Sequence, residues 1–571
     1  MSTSLERAQL WLSDAYDAET RIAVQALIDT NPTELDDSFY RDLEFGTGGM
    51  RGIMGVGTNR LNKYTLGSAT QGLANYLHQE FPSKEKSVAI AYDVRHNSDK
   101  FAKMVADVLT ANGIKVYLFE SFRPTPELSF TVRHLGCDAG IVLTASHNPP
   151  IYNGYKVYWN DGAQIVPPHD KAIIANVGNV KVDEIKFEGN DDLITYIGKE
   201  IDEAFINACV ENGSFTKEGK EDIKIVFTSI HGTAVAITPT AFEKAGFTQV
   251  HQVPEQAIPS GDFPTVVSPN PEEPEALTMA VDLANAIGAD VVIGTDPDAD
   301  RVGVATRNND GDIVLLNGNQ MNTVLAYYLL EKWQEAGKLT GKEFIGSTIV
   351  TSDIFYDIAS KFGVDCKVGL TGFKWIADMI RTFEGKEKFI GGGEESFGFM
   401  VGDFIRDKDS VTTALLVSEI AAVAKANGSS LYNKLIDIYV GIGKAYQEDL
   451  ISIVKPGKEG AELIANMMVD FRLNAPKELA GSKVIRVKDF QSSIEKNLIT
   501  GEEKMIYIPK SNVLIFYTED GSKVACRPSG TEPKIKYYFS VSADLQTKEN
   551  YIEVQKNLLA KIEQLKVDFN K

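Results

Sequence analysis

The chain has 571 residues, 43% of them hydrophobic, and a formal net charge of -21. A single core seldom grows past roughly 250–300 residues, so about three to five domains are expected. So acidic a surface argues against a general nucleic-acid or anionic-membrane binder, which needs a large basic patch, yet leaves room for small anions in a local basic pocket.

Near the start, Leu5, Ala8, Leu12 and Tyr16 recur at helical spacing on one face. The glycine-dense "EFGTGGMRGIMGVGTNR" then reads as a shaped loop presenting Arg51. A helix near 65–80, a strand at 87–93, a helix over 98–111 and a strand at 115–119 follow. "AGIVL" next runs into "TASHNP", residues 144–149. Such alternation predicts α/β units on a largely parallel sheet. The rhythm returns in "DIKIVFTSIHG" (222–232), the helical "AITPTAFEKAGF" and "ADVVIGTDPDADRVGVAT" (289–306). A third unit opens with a helix from about 320 and continues through a strand at 343–353, "KVGLTGFKW" (367–375) and "KFIGGGEESFGF" (388–399). Its closing helix runs to about 427. No exact sequence repeat accompanies this threefold rhythm. The end differs: closely spaced strands "VLIFYTED", "KVACRPSG" and "IKYYFSV" precede an amphipathic helix, an α+β pattern. Domains are expected over 1–212, 213–323, 324–445 and 446–571.

No stretch approaches the roughly 18 apolar residues of a transmembrane helix, and the N-terminus lacks the pattern of a secretory signal. Cys137, Cys209, Cys366 and Cys526 form no CxxC pair, which favours a reducing compartment. A soluble, cytoplasmic protein is the expectation, and no motif identifies an oligomer interface.

The sharpest motif is "TDPDADR". Asp296, Asp298 and Asp300 alternate, so in an extended loop their carboxylates can face one point, where only a cation would relieve the repulsion. All-oxygen ligands suit Mg²⁺ or Ca²⁺. An EF-hand is excluded, because Arg301 and Arg307 stand where its glycine and glutamate belong. A solvated acidic turn is the bland alternative, opposed by the strand-like "VVIG" and "VGVA" on either side. Arg301 beside the acids suggests an anion near the metal. "CRPSGTEPK" offers Arg527, Ser529, Gly530 and Thr531, the guanidinium, hydroxyls and free amides that hold a phosphate, although a plain hairpin turn has the same composition. No nucleotide P-loop occurs. Glu394 and Ser396 in "GGGEESFG" suit sugar hydroxyls, and Lys374 in "GLTGFKW" could complete an anion pocket. His147 and His231 carry little weight singly, and "TASHN" is not a nucleophile elbow. Taken together, Ser146 could carry a phosphate that supplies a further metal oxygen, with a second phosphate held at the Arg527 loop.

In this order, "TASHNP", "DPDADR", "GEESFG" and "RPSGTEPK" resemble the α-D-phosphohexomutase superfamily over nearly the full length. "EFGTGGMRG", "GLTGFKW" and "DKDS" are similar to its phosphoglucomutase-2/phosphopentomutase branch. The resemblance implies four domains around a deep cleft, three of them similar mixed α/β units and the last an α+β domain like the TATA-binding protein. It implies phosphoserine at Ser146 and Mg²⁺ held by Ser146, Asp296, Asp298 and Asp300. Sugar contacts would come from Glu394 and Ser396, and a distal phosphate site from Arg527, Ser529, Gly530, Thr531 and Lys374. Arg51, His147, Lys156 and Arg301 would surround the transferred phosphoryl, with Lys156 and Arg51 as candidates for proton transfer. The implied activity is interconversion of glucose 1-phosphate and glucose 6-phosphate through a glucose 1,6-bisphosphate that also primes the enzyme and reorients in the cleft. Small sugar phosphates would be its partners. Phosphopentomutase, glucose-1,6-bisphosphate synthase, a metal-dependent phosphatase and a silent sugar-phosphate-binding protein are the alternatives. Phosphomannomutase is disfavoured by "SFG" where bacterial mannose-active members carry a glycine-histidine pair.

Overall fold

The computed structural model describes residues 3–46, 48–455, 457–529 and 534–569. Four sheets divide the chain. The first contains β1 (Gly49–Ile53), β2 (Ser87–Tyr92), β3 (Lys115–Phe119), β4 (Ala139–Leu143), β5 (Tyr152–Trp159) and β6 (Ile194–Ile197), in the order β1-β5-β4-β2-β3-β6. The second contains β7 (Ile225–Thr228), β8 (Val250–Gln252), β9 (Val291–Thr295), β10 (Val302–Arg307) and β11 (Ile313–Leu316), ordered β11-β10-β9-β7-β8. The third is β13-β12-β14-β15, from β12 (Glu343–Thr348), β13 (Asp365–Gly369), β14 (Lys388–Glu394) and β15 (Gly398–Val401).

These sheets share one topology. In each, a central strand lies parallel to two neighbours, and one of those neighbours turns back into an antiparallel strand: β4 into β5, β9 into β10, β14 into β15. β4 and β9 are buried at every position, as strands covered by helices on both faces must be. That burial explains their continuous apolar runs and puts the first polar residues at the strand ends. The threefold rhythm in the sequence is therefore a threefold repeat of topology.

The fourth sheet is antiparallel and has eight strands. Its path runs β16-β23-β22-β21-β18-β19-β20, from β16 (Lys444–Val454), β17 (Glu478–Leu479), β18 (Ser482–Asp489), β19 (Ile494–Asn497), β20 (Glu503–Met505), β21 (Leu514–Thr518), β22 (Lys523–Pro528) and β23 (Lys534–Asp544), with β17 paired to β18 off the path. Helices Gly457–Leu473 and Tyr551–Phe569 pack against it, with Phe471 and Phe569 rings 5.7 Å apart.

Several expectations shift. The opening helix spans only Ser4–Leu10, because Ser13 and Asp14 interrupt it and Asp17 caps a second helix, Ala18–Thr30. Leu12 and Tyr16 still reach the same small core, where Tyr16 stacks on Trp11. Part of the glycine-rich loop is β1, an edge strand that pairs Arg51 with Gly154. Gly49 permits this approach at φ +130°; a Cβ there would lie 1.8 Å from the Tyr155 carbonyl oxygen. The strand expected over 343–353 ends at Thr348, and Lys374 opens the helix Lys374–Phe383 instead of closing a strand. The boundary drawn at 323 falls inside helix Gly318–Glu335, and the one at 445 falls inside β16. Periodicity marks elements well but does not say to which core an element's first turn belongs. Among the described residues no helix is long and apolar enough to cross a membrane.

Candidate active site

The three equivalent turns carry the three motifs. "TASHNP" follows β4, "DPDADR" follows β9 and "EESF" follows β14, so topology aims all three from strand ends toward one cleft, the usual ligand position of α/β sheets. Each turn holds a non-glycine residue in the left-handed region: Ser146 at φ +51°, Ala299 at +56° and Phe397 at +61°. Such backbone persists only where surroundings enforce it. Around the acidic loop that enforcement is visible: the amides of Thr233, Thr125 and Ser410 donate to the carbonyls of Pro297, Asp298 and Ala299 at 2.8, 2.9 and 3.2 Å. The Val302 amide donates to Phe397 O at 3.0 Å and ties the second turn to the third.

Ser146 is 3% exposed, and its Oγ donates to Asp296 Oδ2 at 2.8 Å, with His147 Nδ1 at 3.2 Å from the same oxygen. Asp296 Oδ1 accepts the amides of Asp300 and Arg301, each at 3.0 Å. Lys156 Nζ donates to Asp298 Oδ2 at 2.7 Å and to Asp300 Oδ2 at 3.2 Å. Lys408 Nζ lies 2.8 Å from Asp300 Oδ2. Arg301 pairs with Glu272, and Arg51 Nη1 donates to Asn148 Oδ1 at 2.9 Å. Ser146, His147, Lys156, Asp300, Arg301, Arg51 and Lys408 line a cleft of about 1080 Å³ with Glu394, Ser396, Arg527, Lys534, Lys536 and Tyr538.

The electrostatics follow from burial and pairing. Burial, reinforced by Asp298 and Asp300, pushes the Asp296 carboxyl well above the usual range. Burial also acts to raise Asp298, but Lys156 outweighs it and holds that group below the usual range. Asp300 is held down as well, against burial and Asp298, by Lys408 and Lys156. Burial, then the charges of Arg301 and Arg51, keep the His147 imidazole well below its ordinary value and so neutral. Burial pushes Glu394 up to about 7, although Lys408 opposes it.

The acids can hold a metal. Ligand oxygens of Asp296, Asp298 and Asp300 lie within 4.8 Å of one another. Asp298 Oδ1 and Asp300 Oδ1 are buried with no hydrogen-bond partner. Buried carboxylate oxygens left open in this way are costly unless a cation meets them, and an all-oxygen set fits a hard ion such as Mg²⁺.

Sequence reasoning placed Arg51, Ser146, His147, Lys156, Asp300, Arg301, Glu394, Ser396 and Arg527, all of which line the cleft, with Asp296 and Asp298 directly behind the lining. Ser529 meets Lys534 through its amide, which donates to Lys534 O at 2.7 Å. Gly530 and Thr531 lie outside the described residues. Lys374 does not line the cleft, although Thr371, Gly372 and Phe373 do; its ammonium lies 5.5 Å from the Trp375 ring centre. His231 is turned away into its own domain, bonded to Ile258 O and Thr265 Oγ1, both at 2.8 Å. Sequence reasoning missed Lys408, Glu272 and Thr125, whose Oγ1 donates to Asp298 Oδ2 at 3.0 Å. For Lys408 the "DKDS" motif was a usable signal; the other two come from segments with no motif of their own.

Comparison with known proteins agrees with this architecture. Family profiles described as phosphoglucomutase/phosphomannomutase alpha/beta/alpha domains I, II and III match residues 42–183, 203–311 and 317–439. A phosphoglucomutase of Staphylococcus epidermidis RP62A is 38% identical over 517 residues, covering 90% of this chain and 93% of that protein. One from Staphylococcus aureus MSSA476 is 38% identical over 537 residues, covering 93% and 95%. In fold, the chain is similar to pp63/parafusin, a phosphoglucomutase from Paramecium in its open form. There the TM-score is 0.64 at 18% identity, over 92% of this chain and 95% of that one. With three matched domains in order and relatives of such identity over most of its length, the chain belongs to the phosphoglucomutase/phosphomannomutase family of the α-D-phosphohexomutase superfamily.

Proposed function

We propose that this protein is a phosphoglucomutase that interconverts glucose 1-phosphate and glucose 6-phosphate by way of a phosphoryl group on Ser146. The observation that carries the reading is the Ser146 Oγ to Asp296 contact at 2.8 Å, inside a cleft that Arg527, Lys534 and Lys536 of the last domain also line. The Ser146 group suits a transferring phosphoryl, and the basic side chains of the last domain suit a phosphate that stays. The curated relatives at 38% identity supply the choice of glucose phosphates.

In this reading, Asp296, Asp298, Asp300 and the phosphate on Ser146 would hold Mg²⁺, which would supply positive charge beside the transferring phosphoryl. Arg527 and the loop after it anchor the substrate's phosphate, while Glu394 and Ser396 bind sugar hydroxyls. The Ser146 O–P bond breaks as a bond forms from phosphorus to the free sugar hydroxyl oxygen. A proton moves overall from that hydroxyl to Ser146 Oγ. His147, held neutral with Nδ1 3.2 Å from Ser146 Oγ, can pass it. Lys156, which donates to Asp298 and Asp300 and whose ammonium those carboxylates favour against burial, is placed to add positive charge beside the phosphoryl or to take part in proton transfer. Arg51 and Arg301 complete the cationic wall. The bisphosphate then turns over in the cleft, and Ser146 takes back the other phosphoryl. Four free cysteines and the absence of a membrane-spanning helix among the described residues suit a cytoplasmic enzyme.

The test is direct. After incubation with glucose 1,6-bisphosphate, mass spectrometry should place one phosphoryl on Ser146, and Ser146→Ala should abolish turnover with the fold intact. Full activity in that variant would refute the mechanism. A preference for ribose 1-phosphate over glucose 1-phosphate above about tenfold would transfer the reading to a phosphopentomutase.

A further inference from the structure

The backbone of the Ser146 turn is held by a residue outside every motif discussed so far. Arg95 lies just past β2, with its side chain fully buried. Its Nη2 donates to the Ser146 carbonyl at 2.6 Å and to the Asn148 carbonyl, and its Nη1 donates to those of Pro149 at 2.8 Å and Tyr152 at 3.1 Å. One planar guanidinium thus gathers four carbonyls between Ser146 and the first residue of β5. Lysine cannot copy this, because its ammonium lacks the rigid fork.

Arg95 is itself fixed from two sides. Asp93 Oδ2 lies 3.3 Å from its Nε, and Asp93 Oδ1 accepts the Arg95 amide at 2.9 Å and the Ser98 hydroxyl at 2.8 Å. On the other side, Phe263 of the second domain places its ring centre 5.0 Å from the Arg95 guanidinium carbon. Phe263 is 1% exposed and sits at φ +46°, at the tip of an arm pressed onto the first domain. At Gly261 a Cβ would come within 2.8 Å of the His96 amide nitrogen, and Asp262 pairs with His96 at 2.7 Å. Further along, the same arm carries Glu272, the partner of Arg301.

We propose that Arg95 is the positioning residue of the carrier serine. By clamping the turn's carbonyls it holds Ser146 in its left-handed conformation, with Oγ directed at the acidic loop, and Phe263 makes that clamp depend on docking of the second domain. The inference rests on Ser146 being the phosphoryl carrier. A serine oxygen displaced by about 1 Å from its in-line position costs on the order of a hundredfold in rate, while the groups that anchor the substrate's phosphate are left in place.

The experiment is rapid-quench phosphorylation of Ser146 by glucose 1,6-bisphosphate in the full-length wild type, Arg95→Lys and Phe263→Leu. KM for glucose 1-phosphate and circular dichroism are measured on each. Arg95→Lys should fold, phosphorylate about a hundredfold more slowly and keep KM within about threefold. Phe263→Leu, which leaves the guanidinium and its acceptors in place, should slow the same step several-fold. A folded Arg95→Lys that phosphorylates at the wild-type rate, or loses activity only through KM, overturns the proposal. Should Arg95→Lys not fold, a wild-type rate in Phe263→Leu overturns it. Failure of the wild type to take up phosphoryl would instead defeat the carrier reading itself.

Discussion

Asp298→Asn tests the metal site in a way the geometry makes unusually specific. Asp298 Oδ2 accepts from Lys156 at 2.7 Å and from Thr125 Oγ1 at 3.0 Å, while Oδ1 is buried and open. An asparagine amide cannot satisfy both sides. With its oxygen toward Lys156, its N–H groups face the cation; with its oxygen toward the cation, they face the ammonium. The lost charge adds to this, since a pair of unit charges 4 Å apart is worth about 4 kcal/mol at an effective dielectric of 20. Outer-shell changes already cost roughly 10–100-fold in metal affinity, so a lost ligand should cost at least about a hundredfold, or about 2.7 kcal/mol. Mn²⁺ titration followed by electron paramagnetic resonance would read the affinity without turnover, and Mg²⁺-dependent activity should shift in parallel. Wild-type Mn²⁺ affinity in a folded Asp298→Asn protein would refute the assignment of this carboxylate as a ligand.

Arg527→Ala should raise KM for glucose 1-phosphate by about ten- to a hundredfold, the worth of one or two charge-assisted hydrogen bonds, and change kcat less. A loss confined to kcat would count against a role in anchoring the phosphate. Glu448 supplies a pH test outside the cleft. It is 8% exposed with Oε1 unpartnered, and burial raises its carboxyl to about 7 from an ordinary 4.5. The folded protein therefore favours the protonated form, and stability present below about pH 4.5 is lost as pH rises through 7. Glu448→Gln should remove this loss, gaining on the order of 1–3 kcal/mol over the wild type at pH 8 and little near pH 4.5. Urea unfolding at both pH values would check it; a gain equal at the two would refute the titration argument.

Much of the molecule was legible before any coordinates. Apolar runs such as "AGIVL" and "VVIGT" announced strands buried on both faces, and the polar residues after them had nowhere to go but a strand-end turn. Alternate spacing in "DPDAD" suggested convergent carboxylates on an extended loop; they do converge, but on a turn, with the Ala299 amide donating to Asp296 O at 3.0 Å and Ala299 left-handed at φ +56°. Those inferences needed only neighbours in the chain.

The sequence by itself therefore marked most of the strands and helices and the three polar turns at strand ends. Tertiary structure alone decided which charges meet. Lys156 and Lys408, 252 positions apart in numbering, share Asp300. Arg95 finds the Ser146 turn only because β2 and β4 are parallel neighbours. Phe263 reaches Arg95 only because a loop of one domain lies on another. Lys374, whose motif suggested an anion pocket, opens a helix directly after the cleft-lining Phe373, a placement that its motif did not show. Contacts of this kind arise from packing between sheets, where local pattern carries no information about the partner.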